Sequence, residues 1–156
     1  MIAEDNNLYY VSFKTAKLLR KCGYNEDCYM AYDCDESYDC NEKYNESPPI
    51  LEQMYNLYDD APFKNSDIDI PAAPLIFDVL NWLDRKNIIV TTQFLFEDIK
   101  YWTYIISIIR NDKIIEIECG YLKNVEKNTF ENRYLALDYG IQVVLDKYIE
   151  DYGNIK

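Results

Sequence analysis

The sequence predicts an α+β fold. A helix, a three-stranded antiparallel sheet and a closing helix occupy residues 71–152, preceded by an N-terminal helix and an acidic, Tyr-rich hairpin. Three observations carry this reading. Tyr101–Arg110 is the most apolar run in the chain and alternates cleanly. Trp102, Tyr104, Ile106 and Ile108 fall on one side, and Tyr101, Thr103, Ile105, Ser107 and Ile109 on the other, as in a central strand with its better face under a helix. Asn111-Asp112 follows directly, and both residue types accept the positive φ of a tight hairpin turn. Tyr134, Leu137, Ile141, Val144, Leu145, Tyr148 and Ile149 then recur at spacings of three and four, the period of an amphipathic helix.

Taken in order, Leu8–Val11 reads as a short strand. Ser12 stands where a helix N-cap belongs, Thr15, Ala16, Leu18 and Leu19 follow at helical spacing, and Gly23 supplies the stop. Lys17, Arg20 and Lys21 sit late in this helix, where cations favour the dipole. Residues 29–34 alternate like a strand, Asp35-Glu-Ser37 would turn, and Tyr38 would open a return strand. Ser47-Pro-Pro49 breaks the chain, and Ile50–Tyr58 has helical apolar spacing. Residues 59–72 read as a linker, with breakers and no periodicity.

Pro74 suits a helix first turn, and Leu75, Ile76, Val79, Leu80 and Leu83 form the apolar face that follows, with Trp82 at its margin. Ile88–Phe96 is the first strand of the sheet and Tyr101–Arg110 the second. Ile114–Cys119 is the third, with Ile115, Ile117 and Cys119 expected inward and Glu116 and Glu118 outward, where acids guard an edge. Residues 120–129 form a loop before the last helix. Gly140 inside that helix costs about 1 kcal/mol against Ala, which points to close packing on the sheet. The expected common core is Leu75, Leu80, Ile106, Ile108, Leu137, Ile141 and Leu145. At 156 residues the chain has the length of one domain, with residues 1–70 as an acidic subregion.

Composition narrows the function classes. There is no His, so the commonest general base and metal ligand are missing, and chemistry would rest on carboxylates, Cys, Tyr or Lys. Net charge is −12, unevenly placed: residues 1–70 hold 15 acids and 6 bases, residues 71–156 hold 13 acids and 10 bases. Such a surface repels phosphates and anionic membranes and favours basic partners. No apolar run reaches the length of a membrane span, and Met1–Asn7 lacks the marks of a signal peptide. Five Cys without an export signal imply reduced thiols in a cytoplasm.

Two constellations invite a metal reading, and neither spacing supports it. Cys22, Cys28, Cys34 and Cys40 are evenly spaced by six, whereas zinc ligands come in tight pairs. Asp33-x-Asp35 begins a calcium-loop pattern, but no central Gly follows. Only four Gly exist, and none forms a phosphate-binding loop. The helix–three strands–helix order is shared with the double-stranded RNA-binding fold, yet the stretch Glu126–Arg133 that would meet phosphates is nearly neutral.

Six further features stand out: Val11-Ser-Phe-Lys-Thr-Ala-Lys-Leu-Leu-Arg-Lys-Cys-Gly-Tyr24, Ala73-Pro74, Asp78-Val-Leu-Asn-Trp-Leu83, the Asn87-Ile88 junction, Trp102-x-Tyr104, and Ala136-Leu137 with Leu145. Together they resemble small phage- and prophage-encoded proteins of gut Bacteroidales. The resemblance spans most of the chain outside residues 25–70 and implies a mobile-element origin and an accessory role in the host cytoplasm. It carries no activity and no functional residue.

The resulting expectation is a non-enzymatic accessory protein that works by protein–protein binding, as a homodimer. In a sharper form it is an acidic mimic that inhibits a host defence or DNA-processing protein. Residues 26–60 hold 11 acids against one base, Lys43, with Tyr interleaved. Tyr32, Asp33, Asp35, Glu36, Tyr38 and Asp39 are therefore the candidate contacts to a basic protein. No cofactor, metal, membrane or direct nucleic-acid contact is expected. The alternative is a small metal-dependent hydrolase built on Asp33, Asp35 and neighbouring acids.

Overall fold

The computed structural model describes residues 9–33, 50–53, 62–96 and 101–148. The chain falls into two compact units, Met1–Leu75 and Ile76–Lys156.

The first unit is built on helix α1, Phe13–Lys21. Ser12 caps it as its sequence position predicts, its Oγ accepting from the Thr15 amide at 3.4 Å. Gly23 leaves it at φ 77°, a conformation only Gly adopts without strain. Phe13, Thr15, Ala16 and Leu19 are its buried face. Strand β1, Met30–Asp33, pairs antiparallel with β2, Ile50–Gln53, in the register Met30↔Gln53 to Asp33↔Ile50. Ile50–Gln53 is thus strand and not the opening of a helix over 50–58. Apolar spacing over so few residues fits either period, and the ladder with β1 decides it. The expected turn at Asp35–Ser37 and return strand from Tyr38 lie outside the described residues.

Residues 62–74 are also not the linker their breakers suggest. Cys28 and Phe63 exchange both backbone hydrogen bonds, Tyr32 donates to the Pro71 carbonyl, Ala73 to that of Met30, and Val11 to that of Pro74. Buried Asn65 joins the segment to the α1 side, donating to the Tyr24 carbonyl and accepting from the Ala72 amide. A segment without periodicity can still be ordered when its backbone groups find partners one by one.

The second unit is the expected helix, sheet and helix. Helix α2, Ile76–Asp84, buries Ile76, Val79, Trp82 and Leu83. Leu80 is only half-buried and Leu75, ahead of the helix, is exposed, so the buried stripe is rotated away from both and toward Trp82. Strands β3 (Ile88–Leu95), β4 (Tyr101–Arg110) and β5 (Lys113–Cys119) form an antiparallel sheet in that order, with β4 central. Asn111 and Asp112 sit at φ 50° and 58°, the mirror-image turn their types predict. A short helical turn, α3, Gly120–Lys123, opens the expected loop. Helix α4, Arg133–Lys147, starts at Asn132, whose Oδ1 accepts from the amides of Tyr134 and Leu135.

Helix α4 packs across β3 and β4 and against α2. Ile88, Val90, Tyr104, Ile106 and Ile108 of the sheet are buried, as are Leu137, Ile141, Val144 and Leu145 of the helix. Gly140 is the point of closest approach. A Cβ there would lie 2.9 Å from both Tyr104 Cβ and Val90 Cγ1, so the glycine buys helix–sheet contact at the expense of helix propensity.

Candidate functional site

Two features of the second unit are built from polar and aromatic side chains: a buried carboxylate cluster under α4 and an aromatic groove at one end of the sheet.

The cluster exists because β5 presents the face opposite to the one its pattern suggests. The turn pairs Arg110 with Lys113 and Ile109 with Ile114, a register that would carry Ile115 and Ile117 inward. Between Ile108 and Ile109 the register shifts, so Ile108 pairs with Glu116 and Ile106 with Glu118. The bulge leaves Ile115 as the extra residue, and one extra residue moves every later side chain to the other face. Glu118 is therefore buried at 5% exposure, while Ile117 is 62% exposed on the open face. This reverses the expected orientation of Ile115, Ile117 and Cys119 against Glu116 and Glu118.

Glu118 is well satisfied where it lies. Lys123 Nζ is 2.7 Å from Oε2 and Lys147 Nζ 3.0 Å. Tyr148 donates to Oε2 and Tyr104 donates to Oε1, the latter at 3.3 Å. Glu116 Oε1 lies 3.0 Å from the Tyr148 hydroxyl. Burial disfavours the Glu118 charge, but donors from Lys123, Tyr148 and Lys147 outweigh it and hold the carboxyl at about 2. Burial, reinforced by Glu118, pushes the phenols of Tyr104 and Tyr148 well above their ordinary range. Glu118 thus stays ionised and both phenols stay protonated at neutral pH. An acid–base catalyst needs a group that exchanges protons near the working pH, and none of these three does. The arrangement is that of a clamp holding β5 to the end of α4.

The groove has a volume of about 880 Å³ and is lined by Gln93–Phe96 of the β3 end, Tyr101 of β4, Tyr121 of α3, and Val125, Glu126, Thr129 and Glu131. Its far wall is hydrogen-bonded in place. Trp102 and Phe130 exchange both backbone hydrogen bonds at 2.8 Å, so residue 130 takes up the β4 edge beyond the reach of β5. Thr103 Oγ1 donates to the Asn128 carbonyl, Asn128 Nδ2 to that of Gly120, and Thr129 Oγ1 to that of Val125. The rings near the mouth are packed on one another, with Phe94 4.7 Å from Phe96 and 5.0 Å from Trp102. Among the described residues, two carboxylates and no cation line the groove, a setting for an extended segment with apolar and cationic side chains.

Of the residues expected to meet a partner, Tyr32 lies on β1, half-buried, with its hydroxyl donating to the Val11 carbonyl at 2.7 Å and its ring edge-on to Phe13. The Asp33 backbone ends the same strand. Asp35, Glu36, Tyr38 and Asp39 lie outside the described residues. Cys22, Cys28 and Cys119 are thiols without a disulfide, and Cys34 and Cys40 fall outside the described residues. Among the described residues no three His, Cys, Asp or Glu side chains come together as a metal site, and no helix is long and apolar enough to cross a membrane.

Sequence reasoning missed both features. Glu118 hides behind a bulge that no residue type announces. The groove had a partial signal in the aromatic residues Phe94, Phe96, Tyr101 and Tyr121 around the β3–β4 turn, but its wall depends on the pairing of Phe130 with Trp102. Comparison of the chain with family models, curated proteins and solved structures finds no match.

Proposed function

We propose that the chain is a binding protein, an accessory factor of the mobile-element kind, that holds a basic and apolar segment of a protein partner in the groove beside β3 and β4. The observation that supports this reading is the groove itself: aromatic walls, carboxylates from Glu126 and Glu131, and a wall fixed by hydrogen bonds before any ligand arrives. Flat aromatic area contributes to binding at low entropic cost, and a pre-formed wall lowers the ordering penalty. The −12 charge steers basic partners toward the chain as a whole. The finer reading is that the partner is a host defence or DNA-processing protein whose nucleic-acid site is basic. Asp33, Asp35, Glu36 and Asp39 then add long-range attraction while the groove supplies the short-range contact.

The test uses the full chain as bait in a host lysate, beside a Tyr121→Ala/Glu126→Gln/Glu131→Gln variant and an Asp33→Asn/Asp35→Asn/Glu36→Gln/Asp39→Asn variant. The expected result is a partner that the groove variant fails to retain and that the acid variant retains with slower, less salt-dependent association. Direct titration with a Lys/Arg- and aromatic-rich peptide should perturb Trp102 fluorescence, and an acidic peptide should not. Equal retention by the groove variant, with no response to the basic peptide, refutes the reading.

A further inference from the structure

We infer that the open face of the sheet is the contact surface between two copies of this chain. The register places Ile89, Thr91, Ile105, Ser107, Ile109, Ile114 and Ile117 on the face away from α4, with Gln93 and Thr103 toward its groove end. Ile114 is 58% and Ile117 62% exposed, and Ile89, Ile105 and Ile109 are half-buried. Antiparallel sheets normally turn polar residues to water on the side no helix covers. Here that side is uncharged, with five isoleucines beside Thr91 and Ser107, because the bulge sends the acids of β5 inward.

Charge identifies the occupant. No charged residue stands on this face along β3, β4 or β5, in a chain of net charge −12. An isologous contact sets one patch against a copy of itself, so a patch carrying charge of one sign would repel its copy. A neutral patch is what a second copy of an acidic chain requires, while a basic partner gains nothing from it. Edge-to-edge pairing of two β5 strands is the poorer alternative. The bulge interrupts that edge, and Glu116 and Glu118 would be brought near their images. Three strands of about seven residues give a footprint of roughly 14 by 24 Å, or about 340 Å² a side. Doubled, that stays below the ~1,200 Å² of a standard interface, so the dimer is transient and concentration-dependent.

Sedimentation velocity of the full chain over a concentration series should show a monomer–dimer equilibrium. Ile117→Lys and Ile114→Lys should each weaken it at least ~10-fold, since each puts one like charge on both sides of a small apolar contact. Both positions are exposed, so the fold survives, as unchanged far-UV circular dichroism verifies. Leu122→Lys, exposed at 81% and on α3 rather than on a strand of the sheet, should leave the dimer as it is. The Tyr121/Glu126/Glu131 groove variant should also dimerise normally, which separates this inference from the groove reading. A chain that stays monomeric up to several hundred micromolar, or a dimer that withstands both Lys variants, overturns it.

Discussion

Replacing Glu118 with Gln isolates the clamp. The amide keeps the volume and one acceptor but removes the charge, so it imitates the protonated carboxyl. Glu118 titrates at about 2 in the fold against 4.5 when unfolded. At about 1.4 kcal/mol per unit, that difference is worth roughly 3 kcal/mol at neutral pH. Lys123 and Lys147 are half-exposed and can turn to water, so their loss of a partner adds little. The folded value lies below the unfolded one. The stabilisation is therefore complete above about pH 4.5 and fades as pH falls toward 2. Urea unfolding followed by Trp fluorescence reads the right part of the molecule, because Trp82 and Trp102 are the chain's two tryptophans and both lie in the second unit. With a urea slope near 1.5 kcal/mol/M, Glu118→Gln should lower the midpoint by about 2 M at pH 7. The gap between wild type and variant should shrink to about a quarter or less of its neutral value by pH 2–2.5, while titrations common to both proteins cancel. Equal midpoints at pH 7, or a gap that persists undiminished at the lowest pH, would refute the account of a carboxylate held ionised by its neighbours.

Three further outcomes follow from the packing. Gly140→Ala should gain about 1 kcal/mol of helix propensity yet lose more to the clash with Tyr104 and Val90, giving a net fall of about 1–2 kcal/mol in thermal or urea unfolding. A stabilised variant would show that α4 has room to move off the sheet. Ile141→Ala, at a fully buried site, should cost about 2–5 kcal/mol, and an unmoved melting curve would mean the helix face is misassigned. Asn65→Ala removes two buried hydrogen bonds, to Tyr24 and Ala72, and should cost about 1–3 kcal/mol. Amide exchange in residues 62–74 should accelerate before exchange in α4 does.

The elements legible in the sequence are those whose pattern repeats over several turns or strand residues. Ser12 and Gly23 bound α1 because cap chemistry is local. Tyr101–Arg110 and the turn at Asn111-Asp112 emerge as read, because alternation and positive φ are properties of single residues and their neighbours. Helix α4 and the tight seat of Gly140 were likewise readable. Illegible features depend on partners far along the chain. Ile50–Gln53 takes its conformation from β1, and Asn65 becomes a core residue only through Tyr24 and Ala72. The α2 stripe shifts toward Trp82 by a fraction of a turn, which spacing alone does not resolve. Glu118 is the extreme case, since an acid in a strand reads as exposed unless its donors, 5 and 29 residues away, are already placed.

The looped-out residue in β5 is an interruption that the rest of the strand does not depend on for its orientation. Deleting Ile115 would set Glu116 directly after Ile114, and the pairing begun at the turn would run on unbroken with Ile108 still opposite Glu116 and Ile106 still opposite Glu118. The glutamates would keep their inward side, so the shortened chain would lose the irregularity alone. A regular edge offers its free backbone groups to any passing strand, and a bulged one resists that addition. One codon thus separates a sheet that ends at β5 from one whose border invites further strands.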